Sequence, residues 1–102
     1  LKRARERGLP ASLTFRQWAA ALSYFRCRCA YCGKAPYEVM EHYLAMQFGG
    51  GTTVDNVLPS CKICNSKKRD LPPEYFARLF PLECVRNIRE YFEGCVEFPI
   101  KK

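Results

Sequence analysis

A chain of 102 residues is one domain or a piece of a longer protein, and its 48% apolar content excludes a disordered chain. No apolar run reaches membrane-spanning length, and no basic stretch leads into an apolar one as a secretory signal would. Net charge is +7 and uneven: residues 1–36 hold eight basic side chains against Glu6 alone, while the remainder is balanced. Positive potential at one end points to a polyanion, nucleic acid first, with a solvated basic tail as the bland alternative.

Residues 1–11 read as a frayed basic arm ending in Gly8 and Pro10. A helix follows, with Thr14 as N-cap and Gln17 three residues on, the spacing of a capping box. Phe15, Trp18, Ala19, Leu22 and Phe25 then form one apolar stripe at helical spacing, which assigns them to the core and not to a base-stacking platform.

Next come two Cys-x-x-Cys knuckles, Cys29/Cys32 and Cys61/Cys64, separated by 28 residues. Seven cysteines is an odd count, and nothing marks the chain as secreted, so a disulfide framework does not fit. In a reducing, cytoplasmic setting the same spacing reads as one closed structural zinc site of four thiolates, which would join the two segments. Gly33 permits the turn that lets the first two thiols face one ion. Cys27 shares a face with Cys29 in an extended strand and could compete as a ligand; its spacing makes it inert or packed. Arg28, between the two, is a candidate nucleic-acid contact.

Residues 37–44, with β-branched and aromatic character, predict a short strand. The glycines 49–51 predict a mobile loop or turn, and residues 54–58 a second strand or a turn of helix closed by Pro59. A helix starts within the second knuckle and ends before Pro72 and Pro73. Two more follow: residues 74–80, pairing Tyr75 with Leu79 and Phe76 with Phe80, and residues 83–93, ending at Gly94. Cys84 and Cys95 fall on the apolar side of the last and read as packing cysteines.

His42 is the only histidine, and Glu41 precedes it. Hydrolysis of a phosphodiester needs a group to take a proton from water and a charge to offset the one growing on phosphate. A near-neutral imidazole can do the first, and a cation held by oxygen ligands the second. One Glu-His pair is weak evidence, since a lone histidine is more often structural. The surrounding stretch adds to it.

Residues 41–68, EHYLAMQFGGGTTVDNVLPSCKICNSKK, resemble the motif of the HNH endonucleases, the ββα-metal nucleases. Glu41-His42 fill the acid-histidine element, Gly49-Gly50 the loop and Asn56 the middle asparagine. Cys61 and Cys64 flank the last knuckle, Asn65 stands at the final ligand position and Lys68 follows. With the first knuckle, the resemblance covers residues 29–70.

The resemblance implies an α+β fold: a small ββα core stapled by a four-cysteine zinc site, flanked by an N-terminal helix and C-terminal helices. Residues 12–102 would be a single nuclease domain behind the arm. It implies a metal-dependent DNA endonuclease, cutting or nicking, with His42 as general base. Glu41 and Asn65 would hold one divalent metal, and Asn56 would orient the His42 ring. Lys68, with Lys67 and Arg69 beside it, would contact phosphate.

Three positions depart from the family pattern: Glu41 stands for the usual Asp, Ala45 for a common proline, and Asn65 for the last histidine. Oxygen ligands at the last position favour magnesium or manganese. DNA is the expected partner, with no membrane. A homodimer, a place within a larger protein, and a bacterial or phage origin are all compatible with the chain. The competing reading is a non-catalytic zinc-knuckle module that binds nucleic acid, which would have no need of an acid, a base and an amide at nuclease spacing.

Overall fold

A computed structural model describes residues 8–97; the basic stretch 1–7 and the tail 98–102 lie outside them. In chain order the elements are α1 (Phe15–Tyr24), β1 (Val39–His42), a 3-10 turn (Met46–Phe48), β2 (Val57–Ser60) and α2 (Lys62–Lys68). A second 3-10 turn (Pro73–Tyr75), α3 (Phe76–Leu79) and α4 (Leu82–Glu97) complete them. The expected α+β architecture is present, with β1, β2 and α2 in the order of a ββα unit.

The capping box forms as its spacing predicts: Gln17 N–H donates to Thr14 Oγ1 at 3.1 Å, and Thr14 N–H to Gln17 Oε1 at 2.9 Å. The stripe of α1 is shifted from expectation. Phe15 is 95% exposed and Ala19 is exposed, while Trp18, Ala21, Leu22 and Phe25 face inward. Both sets repeat every three to four residues, so periodicity alone does not fix where the stripe begins.

After α1 the chain reverses through Arg26 and Cys27, both at positive φ (58° and 57°), with Arg28 N–H donating to Phe25 O at 3.0 Å. This pair of left-handed residues turns tightly enough to start the first knuckle. Cys27 is exposed, outside the cysteine cluster.

β1 and β2 pair antiparallel, Val39 with Ser60, Met40 with Pro59, Glu41 with Leu58 and His42 with Val57. β1 is shorter than expected. β2 starts later and runs through Pro59, whose carbonyl accepts the Ala30 N–H at 2.9 Å. Proline is tolerated because the pair lacks a further strand, and the knuckle covers the outer side of β2.

The glycine stretch, expected as a mobile loop or turn, is a loop tied down by hydrogen bonds. Asn56 Nδ2 donates to Leu44 O and Gly51 O, both at 3.0 Å, and Leu44 N–H donates to Asn56 Oδ1 at 2.8 Å. A Cβ at Gly50 would stand 1.8 Å from Leu44 O, so only glycine fits there.

Residues 73–79 split into a 3-10 turn and a single α turn, and α4 runs through Gly94 instead of ending there. The C-terminal helices close the core. Tyr31, Leu58, Phe76, Phe80, Val85, Ile88 and Tyr91 are buried with the cysteine cluster, and Tyr31 lies 4.8 Å from Phe80 between ring centroids. Cys95 is buried as expected, but Cys84 is only half-buried, its Sγ against Gly33 beside the first knuckle.

Candidate metal centre and adjoining cleft

The four knuckle thiols converge. The Sγ atoms of Cys29, Cys32, Cys61 and Cys64 all lie within 4.8 Å of one another. Tetrahedral zinc with Zn–S of about 2.3 Å sets its sulfurs about 3.8 Å apart, so the cluster fits that ion. Cys29 and Cys32 come from the turn after α1, made possible by Gly33 at φ +72°. Cys61 caps α2, and its sulfur accepts the Cys64 N–H at 3.4 Å. Burial raises the Cys29 and Cys64 thiols above their usual values. Burial also pushes Cys32 upward, but donation from the Ala35 and Lys34 backbones outweighs it and brings that thiol to about 7.

One turn further along α2 and across from it on β1 lies an open cleft of about 300 Å³. Glu41, His42, Asn65, Arg69 and Asp70 line it. The second knuckle is what sets this proximity: Asn65 directly follows Cys64, and its N–H bonds the Cys61 carbonyl at 3.0 Å. Three residues singled out in the sequence, Glu41, His42 and Asn65, are thus brought to one place.

Glu41 is buried, with both oxygens engaged. Tyr31 Oη donates to Oε1 at 2.8 Å and Lys68 Nζ to Oε2 at 3.0 Å. Burial raises the carboxyl above its usual range, against the opposing pull of the Lys68 charge and the Tyr31 hydroxyl. Burial and the Glu41 charge drive Tyr31 well upward, so it stays a neutral donor. A carboxylate oxygen has more than one lone pair, so Glu41 retains acceptor capacity toward the cleft. Glu41 and the Asn65 amide line the same cleft, and oxygens of these two types are donors that magnesium or manganese could accept.

His42 is half-buried, and its Nε2 lies 2.9 Å from Thr52 Oγ1. Burial, with help from nearby positive charge including Lys68, lowers the imidazole below its usual value, so it is neutral at pH 7.

Two of the expected site residues make other contacts within the fold. Lys68, assigned to phosphate, is fully buried, its ammonium on Glu41 and 5.3 Å from the Phe76 ring centroid. It faces inward from α2, whereas Lys67 and Arg69 are exposed. Asn56, expected to orient the His42 ring, bonds through its side chain to Leu44 and Gly51 of the glycine loop, and among the described residues the ring bonds Thr52. Arg28 is exposed and donates to Lys34 O at 2.9 Å.

Thr52, Tyr31 and Asp70 were not found from the sequence. Asp70 carried a faint signal, a lone carboxylate closing a basic run. Nothing distinguishes Thr52 from Thr53 without the fold. Arg69 adds a backbone mark of its own, φ +50° in a non-glycine residue at the edge of the cleft, a conformation that costs energy and clusters at functional sites.

The SPbeta prophage-derived putative HNH endonuclease YoqL of Bacillus subtilis (strain 168) is similar to this chain, with 31% identity over 70 residues. The match takes in 58% of the chain and 30% of that protein, so the chain spans less than a third of its relative's length. No protein-family model matches the chain, and no solved structure does. In motif order, in its ββα topology and in its four-cysteine cluster, the chain resembles the HNH endonuclease family.

Proposed function

We propose that this chain is a metal-dependent DNA endonuclease, cutting one strand or both, with residues 12–102 as its nuclease domain. The observation that carries the reading is the cleft. A neutral imidazole and a carboxylate from adjacent residues of β1 and an amide from α2 open onto it together. His42 is the general base: neutral at pH 7, it can accept a proton from water positioned over a scissile phosphate. Glu41 and Asn65 would hold a divalent ion, magnesium or manganese, which when bound would supply charge to offset that on the phosphate. Asn56 keeps the loop before β2 in shape, and Thr52 within it reaches the imidazole. Lys67, Arg69 and Arg28 are exposed cations that would contact phosphate, with the basic stretch 1–7 as a further contact. The zinc of the four cysteines positions Asn65. The reading places the protein inside a cell, of bacterial or phage origin.

One observation favours a second reading, a zinc-knuckle module that binds nucleic acid without cutting it. Both Glu41 oxygens already bond within the fold, which suits a structural carboxylate. Against it, no hydrogen bond holds the Asn65 amide among the described residues, and a binder has no use for a neutral base beside it.

Incubation with supercoiled plasmid separates the two. The nuclease converts it to nicked or linear forms with magnesium or manganese and not with chelator. Retarded but uncut plasmid under every divalent ion tried would establish the binder.

A further inference from the structure

We infer that Thr52 is the positioning residue for His42, fixing the ring so that Nε2 carries the proton and Nδ1 is left as the base. The contact itself is independent of the nuclease reading, but the direction of its proton rests on that reading. A hydroxyl can donate or accept, and Nδ1 is left bare as the base only when Thr52 accepts from Nε2–H. A histidine that takes a proton from water needs one ring nitrogen bare and the other held. Whichever partner holds the second nitrogen decides both tautomer and ring angle.

Thr52 is fully buried, and its hydroxyl lies 2.9 Å from Nε2. Its backbone is tied on both sides to the segment before α1: Thr52 N–H donates to Pro10 O at 2.8 Å, and Leu13 N–H donates to Thr52 O at 3.1 Å. A Cβ on the preceding Gly51 would stand 2.5 Å from Pro10 O, so glycine is what allows this approach. Asn56 Nδ2 holds the Gly51 carbonyl from the other side. At the far end of the bond, His42 is fixed by its pairing with Val57. Both partners therefore stand on anchored backbone, and their distance is set before any substrate arrives.

A hydroxyl suits the task where a carboxylate would not. An acidic partner on Nε2 would raise the affinity of the ring for protons and favour imidazolium. Thr52 orients the ring without adding charge.

Because His42 is the only histidine, a long-range 1H–15N correlation spectrum of the zinc-loaded protein reads one ring. Taken at pH 8 without DNA or added divalent ion, wild type should show the neutral Nε2–H tautomer. Thr52→Val, which keeps the shape and removes the hydroxyl, should give a tautomer mixture and a plasmid cleavage rate lower by about 10- to 100-fold. Thr52→Ser should return the single tautomer and most of the rate. An Nδ1–H tautomer in wild type, or a Thr52→Val spectrum unchanged from it, overturns the inference. Should Thr52→Val fail to hold zinc, the wild-type and Thr52→Ser tautomers still decide. An Nε2–H ring in a wild-type protein that cleaves nothing would support the Thr52 anchor and defeat the nuclease reading.

Discussion

Lys68 Nζ lies 3.0 Å from Glu41 Oε2, and the lysine side chain is closed to solvent. The pair crosses from α2 to β1 and fastens the helix of the ββα unit to its first strand. Tyr31 bonds the other carboxylate oxygen at 2.8 Å, so the first knuckle joins the same link. Removing one partner leaves a charge buried without its mate. Lys68→Met should therefore lose about 3–5 kcal/mol of stability in urea unfolding. The double variant Lys68→Met/Glu41→Gln should be more stable than Lys68→Met alone. A loss under about 1 kcal/mol for Lys68→Met would show that the pair does not hold the unit together.

The same burial separates Lys68 from its neighbours in DNA binding. Lys67→Ala and Arg69→Ala should each lower the slope of log affinity against log salt by about 1, across unrelated DNA sequences. Lys68→Met, measured under conditions where it is folded, should leave that slope alone. A reduced slope for Lys68→Met would place its ammonium on phosphate after all.

Zinc loading should release protons, since ligation requires thiolates. Cys32 has a pKa of about 7 in the metal-free chain, whereas Cys29 and Cys64 are raised above the usual thiol value. At pH 6 Cys32 still has a proton to give up; at pH 8 it has largely lost it. Calorimetry in buffers of different ionisation enthalpy should count more protons per zinc at pH 6 than at pH 8. Affinity for zinc should fall as the pH drops. Stripping the zinc should also abolish binding of a divalent ion at the cleft, because Asn65 is placed by the second knuckle. Retention of that binding by zinc-free protein would uncouple the two sites.

Asn56 links three backbone groups of the loop, accepting from Leu44 and donating to Leu44 and Gly51. Asn56→Ala leaves these buried groups unpaired and should cost about 1–3 kcal/mol. Asn56→Asp keeps the acceptor but turns a carboxylate toward two carbonyls, so at pH 8 it should be no more stable than Asn56→Ala. Thermal unfolding would show the order.

An imidazole whose pKa is lowered by burial stays neutral further into acid than a free one. The acid limb of kcat/KM for plasmid cleavage should thus fall below pH of about 6.5. A limb at or above that value would assign it to another group.

The chemistry-bearing elements were legible because their signals are local. A Cys-x-x-Cys knuckle, a capping box at Thr14 and Gln17, and a helix beginning inside the second knuckle each depend on residues a few positions apart. The stripe of α1 was misplaced because Phe15 satisfies the helical period as well as Ala21 does, and only packing against Tyr91 and its neighbours selects the face. The partners of the site residues were hidden for a different reason. Glu41 meets Lys68 across 27 positions, and His42 meets Thr52 only because the glycine loop folds back under Asn56. A lysine after a knuckle looks the same in sequence whether it turns outward to phosphate or inward to a carboxylate. Its phase on a helix of seven residues was too short a pattern to tell.

Base catalysis by His42 on DNA is tested by comparing wild type with His42→Ala on supercoiled plasmid. Both proteins should carry one zinc and bind the plasmid alike, in the presence of magnesium or manganese. General-base catalysis predicts that initial cleavage falls by at least about 10²-fold in His42→Ala. Cleavage by zinc-loaded His42→Ala at the wild-type rate would show that His42 is not the base.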